Sequence, residues 1–224
     1  FFFFNKSLWK INKMGIIILH LGGILLLIGG GLTAIFSSEG NMVINEGEES
    51  NYVEDYHYME LAIINTTSND FDTYTIFDYN VLKRNNILIH ENFRFEIEIL
   101  HYIKNCKPIR RSTPSEVQYR GMMKNFMLSD LAPLKEENLN RPGIIFNLLN
   151  TGSRADGIYG LFLGQTVPQK ITVEDQDYII VFRKKRTYLP FSIELIDFKK
   201  VMHPGTDIPK SYSSEINLIE SDIK

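Results

Sequence analysis

The side chains with the clearest chemical potential are five histidines, one cysteine and a run of four basic residues. His20 lies inside Met14–Phe36, a stretch with no Asp, Glu, Lys or Arg. An ionisable ring held in hydrocarbon is costly, so it marks either a ligand or a hydrogen bond between helices. Neutral imidazole is a good transition-metal ligand. His57, His90, His101 and His203 are scattered without His-x-His or HExxH spacing, and read as surface or strand residues rather than metal ligands. Cys106 stands beside Lys104, Lys107, Arg110 and Arg111, cations that favour a thiolate and mixed disulfides with a partner, although an incidental thiol is the plainer reading. Arg183-Lys184-Lys185-Arg186 follows an apolar strand end and reads as a solvated edge that discourages strand pairing. Contact with acidic headgroups is its sharper alternative. No G-x-S-x-G elbow, P-loop or Rossmann pattern occurs, and Gly157, Gly160 and Gly164 suit close-packed or bulged strands better than a phosphate cradle.

Positioning His20 requires a helix. At about 1.5 Å per residue, Met14–Phe36 is roughly 35 Å long, enough to cross about 30 Å of hydrocarbon with some tilt. A buried core helix rarely runs so far without a charge, and a signal peptide usually has a shorter apolar run and a small-x-small exit. The exit here is Thr33-Ala34-Ile35-Phe36, so an uncleaved anchor or internal span is the better reading. Residues Gly23, Ile24, Leu27, Gly31 and Ala34 fall within about 60° of His20 around such a helix, while Gly15, Gly22, Gly29 and Thr33 lie opposite. The latter stripe suits close helix packing, and the looser face beside His20 leaves space for something bulky.

Lys6, Lys10 and Lys13 precede the span without an acidic residue, whereas Glu39, Glu46, Glu48, Glu49, Glu54 and Asp55 follow it before any base. The positive-inside rule then places residues 37–224 outside the cytoplasm. Phe1–Phe4 with Trp9 reads as the tail of an earlier apolar segment. Residues 1–13 are therefore expected to be a cytoplasmic flank or the end of a preceding span, in a piece of a longer multi-span protein.

Residues 37–224 read as β-structure. Phe93, Phe95, Ile97 and Ile99 alternate with Arg94, Glu96, Glu98 and Leu100, the two-residue period of a half-buried strand. Shorter runs occur at Met59–Ile64, Gly143–Leu149, Ile158–Leu163, Tyr178–Phe182, Phe191–Phe198 and Ser214–Ile219, divided by turn-forming clusters. The expected fold is mainly β: one N-terminal transmembrane α-helix, then an extracytoplasmic antiparallel β-sandwich or open barrel. Phe126–Leu139 reads as a short helix or ordered loop. With 44% hydrophobic and 23% charged residues the chain is neither disordered nor fibrous, and its single cysteine excludes a disulfide framework. A net charge of −3, with three lysines before the span, leaves −6 on the remainder, which argues against nucleic acid as a partner.

Two stretches together resemble the ResB (CcsB) family, a component of the system II cytochrome c synthetase. The first is Gly15-Ile-Ile-Ile-Leu-His20-Leu-Gly-Gly-Ile-Leu-Leu-Leu-Ile-Gly29 with Ser38-Glu39-Gly40. The second is Leu189-Pro-Phe-Ser-Ile-Glu-Leu-Ile-Asp197-Phe198 with Pro204-Gly205-Thr206-Asp207-Ile208-Pro209-Lys210-Ser211 and the strand Ser214–Ile219. Residues of about 50–140 add little to it.

The resemblance implies that His20 is an axial ligand to the iron of haem b, carried as substrate within the membrane, with a second histidine from a helix outside this chain. It implies a CcsA-type partner subunit, or a fused CcsA half, together with apocytochrome c and a thiol-reducing partner. The location implied is a bacterial inner membrane, with the main domain periplasmic. Trp9 is the only tryptophan, so the Trp-rich segment of the partner is not found here, and the outer domain and a returning span are expected to continue past Lys224. No complete catalytic site is implied, and His203 stands where another residue type is expected. The alternative, from the residues alone, is a membrane-anchored β-sandwich that binds or scaffolds a partner without a cofactor.

Overall fold

The computed structural model describes residues 14–37, 39–112, 117–152 and 155–220. The expectations for residues 1–13 and for Ser38 lie outside these. By contact the chain divides between Glu39 and Gly40 into a helical and a β unit.

The helical unit holds α1, Met14–Phe36, 23 residues with no buried side chain. It is long and apolar enough to cross a membrane. Apolar side chains face all round, as suits a segment whose solvent is lipid rather than water. The Thr33 hydroxyl donates to the Gly29 carbonyl at 3.0 Å, so this polar group is satisfied within its own helix.

Among its described residues the β unit has twelve strands: β1 (Gly40–Asn41), β2 (Glu49–Asn65), β3 (Thr73–Asp78), β4 (Ile87–His90), β5 (Phe93–Ile103), β6 (Cys106–Arg110), β7 (Phe126–Asp130), β8 (Gly143–Leu149), β9 (Gly157–Phe162), β10 (Gln169–Val173), β11 (Gln176–Met202) and β12 (Pro209–Glu220). One sheet runs β1-β2-β11-β10, with β3 added to β2 and β12 to β11; a second runs β4-β5-β8-β9; β6 and β7 form a hairpin. Every pairing between these strands is antiparallel. The mainly β, antiparallel fold with one N-terminal apolar helix is the one expected.

Alternation builds the core. On β5, Phe93, Phe95, Ile97 and Ile99 turn inward and Arg94 outward. They meet Phe146 and Leu148 of β8 and, from the first sheet, Leu61 and Ile63 of β2 and Tyr178, Ile180 and Phe182 of β11 in one cluster. Phe93 stacks on Phe95 with centroids 4.5 Å apart. A second, smaller cluster of Ile103, Cys106, Met123 and Leu128 lies under the β6–β7 hairpin. Two glycines are fixed by close approach: a Cβ on Gly160 would sit 2.7 Å from the Met123 sulfur, and one on Gly157 2.5 Å from the Gln118 carbonyl oxygen. The packing role expected for them holds.

Two segments differ from their sequence reading. Tyr178–Phe182 and Phe191–Phe198 belong to one 27-residue strand rather than two, despite Pro190. The β2–β11 pairing breaks between Tyr188 and Ile193, and that gap accommodates a residue without an amide hydrogen. Within Phe126–Leu139, Phe126–Asp130 pairs with Cys106–Arg110 as a strand, and only Glu137–Leu139 forms a 3-10 turn. The hairpin partner lies earlier in the chain, so local pattern does not expose it.

From Phe191, β11 and β12 run as a ribbon, flanked by β2 at Ile193–Ser50 and Glu194–Glu49. Pairs Ile193–Leu218, Leu195–Ile216 and Phe198–Ser214 share one face, with Tyr212 stacked on Phe198 at 6.0 Å. Pairs Glu194–Asn217, Asp197–Glu215 and Lys199–Ser213 share the other. Most apolar pairs thus lie on one face, although Lys200 shares it and Ile219 and Val201 lie on the other. An irregularity between Leu195 and Asp197 leaves Ile196 unpaired.

Candidate functional site

His20 is the residue that sequence marks most strongly, and α1 presents it exposed. Its Nδ1 lies 2.8 Å from the Ile16 carbonyl oxygen one turn back. A carbonyl only accepts, so this bond requires the proton on Nδ1 and leaves the Nε2 lone pair free to coordinate. Gly23 on the same side, like Gly15, Gly22 and Gly29 opposite, has no neighbour within 4 Å of where a Cβ would stand apart from the helix's own backbone. An available imidazole nitrogen beside open helix surface fits axial ligation of a flat macrocycle. Among the described residues no group of three or more His, Cys, Asp or Glu is placed to hold a metal ion.

The other histidines separate. His57 Nδ1 meets Glu137 Oε2 at 2.6 Å. His101 faces Asp130 across 3.5 Å. His90 rests edge-on against Phe77, and the His203 carbonyl accepts from Thr206 in the turn that leads to β12.

The basic run does not form a solvated edge. It lies within β11, beside β2, and the carboxylates are supplied by strands remote in sequence. Arg183 Nε donates to Glu60 Oε1 at 2.7 Å, with the glutamate side chain 3% exposed and the arginine 12%. The second Glu60 oxygen accepts the Arg186 amide at 3.3 Å. Lys185 Nζ pairs with Asp78 at 2.6 Å, a hydrogen bond that raises its pKa. Arg186 pairs with Glu54 at 3.1 Å while its guanidinium covers the Tyr52 ring at 4.0 Å. Of the four, Lys184 alone has no carboxylate partner among the described residues.

Cys106 follows the plainer of its two readings, that of an incidental thiol. It is buried against Gly143 and Leu128, and burial pushes the thiol up to about 11, outweighing the lowering effect of Arg141. The surrounding cations therefore do not produce a reactive thiolate.

Sequence reasoning missed a cluster of tyrosines. Tyr56 and Tyr58 on β2, Tyr79 in the 3-10 turn after β3, and Tyr102 on β5 line a pocket of about 390 Å³, closed on another side by the loop carrying Pro133 and Glu137. Tyr58 meets Tyr79 at 5.6 Å, and Tyr79 meets Tyr102 at 5.5 Å. The His57–Glu137 contact ties β2 to the loop across this pocket. The only local signal is the two-residue spacing of Tyr56 and Tyr58; the others converge through folding. No protein-family model matches the chain, and no curated protein matches it.

Proposed function

We propose that this chain is the ResB-like part of a system II cytochrome c synthetase, in which His20 and a histidine of the CcsA-type partner hold haem within a bacterial inner membrane. The observation that carries the proposal is the His20 ring itself: exposed on an apolar helix, with Nδ1 committed to Ile16 and Nε2 available. The paired resemblance of the span and of the Leu189–Ser211 segment supports it, and the lysines at 6, 10 and 13 support a periplasmic β unit. Bis-imidazole ligation would limit unwanted oxygen chemistry at the iron while the group is carried. The β unit would organise the partner and the incoming apocytochrome, whose own cysteines form the thioether bonds. No side chain of this chain is assigned to that bond-forming step.

The test is His20→Ala and His20→Leu in the intact complex. Haem co-purified from the membrane, read by absorption spectrum, should fall several-fold, and cytochrome c output with it. Unchanged haem and unchanged output would remove the ligand assignment and leave the cofactor-free anchored sandwich.

A further inference from the structure

The tyrosine pocket has a chemical character that the haem reading does not use. Its volume, about 390 Å³, is that of a small-molecule site. The walls are aromatic, and Lys104 and Lys184 stand at its lining without a carboxylate partner among the described residues. Lys184 Nζ stays 5.7 Å from the Tyr56 ring centroid, so its charge is held at the aromatic wall. The one acidic lining residue, Glu137, is hydrogen-bonded to His57, so the lining carries two lysines against a single carboxylate. Burial, reinforced by Tyr79, raises the Tyr102 pKa, so its hydroxyl stays neutral and able to donate. The pocket thus offers ring faces, hydroxyl groups and an excess of one positive charge in a chain whose net charge is negative.

From this we infer that the pocket binds a small organic anion, a carboxylate carried on a flat ring body. The rings of Tyr58 and Tyr102 receive the flat part, while Lys104 and Lys184 receive the carboxylate. This inference stands apart from haem ligation, since none of its residues is on α1.

Full-length chain in lipid nanodiscs, titrated with 1-naphthoate and with its uncharged isostere 1-naphthamide, tests it by ligand-detected saturation-transfer NMR against empty nanodiscs. Naphthoate should bind at least about tenfold more tightly than naphthamide. The difference should vanish in Lys104→Gln/Lys184→Gln and persist in the charge-matched control Lys83→Gln/Lys200→Gln, both variants keeping the wild-type thermal midpoint. Equal affinities for the two probes, absence of binding, or naphthoate preference surviving in the Lys104/Lys184 variant would each overturn the inference. A misfolded double variant is replaced by Lys104→Gln and Lys184→Gln singly, each of which should lose part of the preference.

Discussion

Glu60→Leu should be among the most damaging single changes in the β unit. Glu60 and the Arg183 side chain paired with it are 3% and 12% exposed, and Arg183 Nη2 already lacks a hydrogen-bond partner. Deleting the carboxylate strands a desolvated guanidinium and also removes an acceptor from the Arg186 amide. Breaking one side of a buried pair costs about 3–5 kcal/mol. At about 2–4 °C per kcal/mol for a domain of this size, the midpoint should fall by roughly 10 °C. Glu60→Leu/Arg183→Leu removes both charges and fills the space with hydrocarbon, so it should recover most of the loss. Thermal unfolding of the detergent-solubilised chain, followed by near-ultraviolet tyrosine dichroism, gives both numbers. Added salt should change the wild-type midpoint little, because so enclosed a pair is weakly screened. A single-variant loss below about 1 kcal/mol, or a double variant as unstable as the worse single, would refute the view that each charge is tolerated because of the other.

Cys106 in the folded chain should react with iodoacetamide at pH 8 at least ~100-fold more slowly than in denaturant, since a thiol raised to about 11 is almost entirely protonated there. Its folded pKa exceeds the unfolded one, so the protonated thiol favours folding below about pH 8.5; that contribution should decline towards pH 11, visible as a lower denaturant midpoint at pH 10.5 than at pH 8. The β10–β11 turn places Glu174 and Asp175 at φ 49° and 62°. Replacing them with Asn-Gly, which tolerate these angles, should stabilise by about 0.5–1 kcal/mol in denaturant titrations. The exposed Arg94–Glu174 contact at 3.6 Å offsets little of that gain.

What could be read from sequence was what repeats locally. The α1 bounds follow from an unbroken apolar run, and the inward row on β5 from strict alternation. Misreading came where a residue's environment is supplied from far away. Arg183 meets Glu60, and Lys185 meets Asp78, across more than 100 intervening residues, so four adjacent cations looked solvated when three are paired. For Cys106, the neighbouring cations left an activated thiol open as the lesser reading, and packing against Gly143 decides for the incidental one. The tyrosine pocket has no motif at all, because its walls come from β2, β5, β11 and irregular segments between strands. His20 was legible as an anomaly, but only coordinates reveal which of its nitrogens is committed.

The irregularity at Ile196 has a consequence for how this ribbon can vary among descendants of one gene. Leu195 and Phe198 differ in parity, yet they share a face because one residue between them is skipped by the opposite strand. Losing a codon in most strands inverts every side chain downstream. Here, dropping Ile196 would leave the pairs on either side in their present phase, so lineages can shorten the ribbon at this point while Leu195 and Phe198 stay on one side of it.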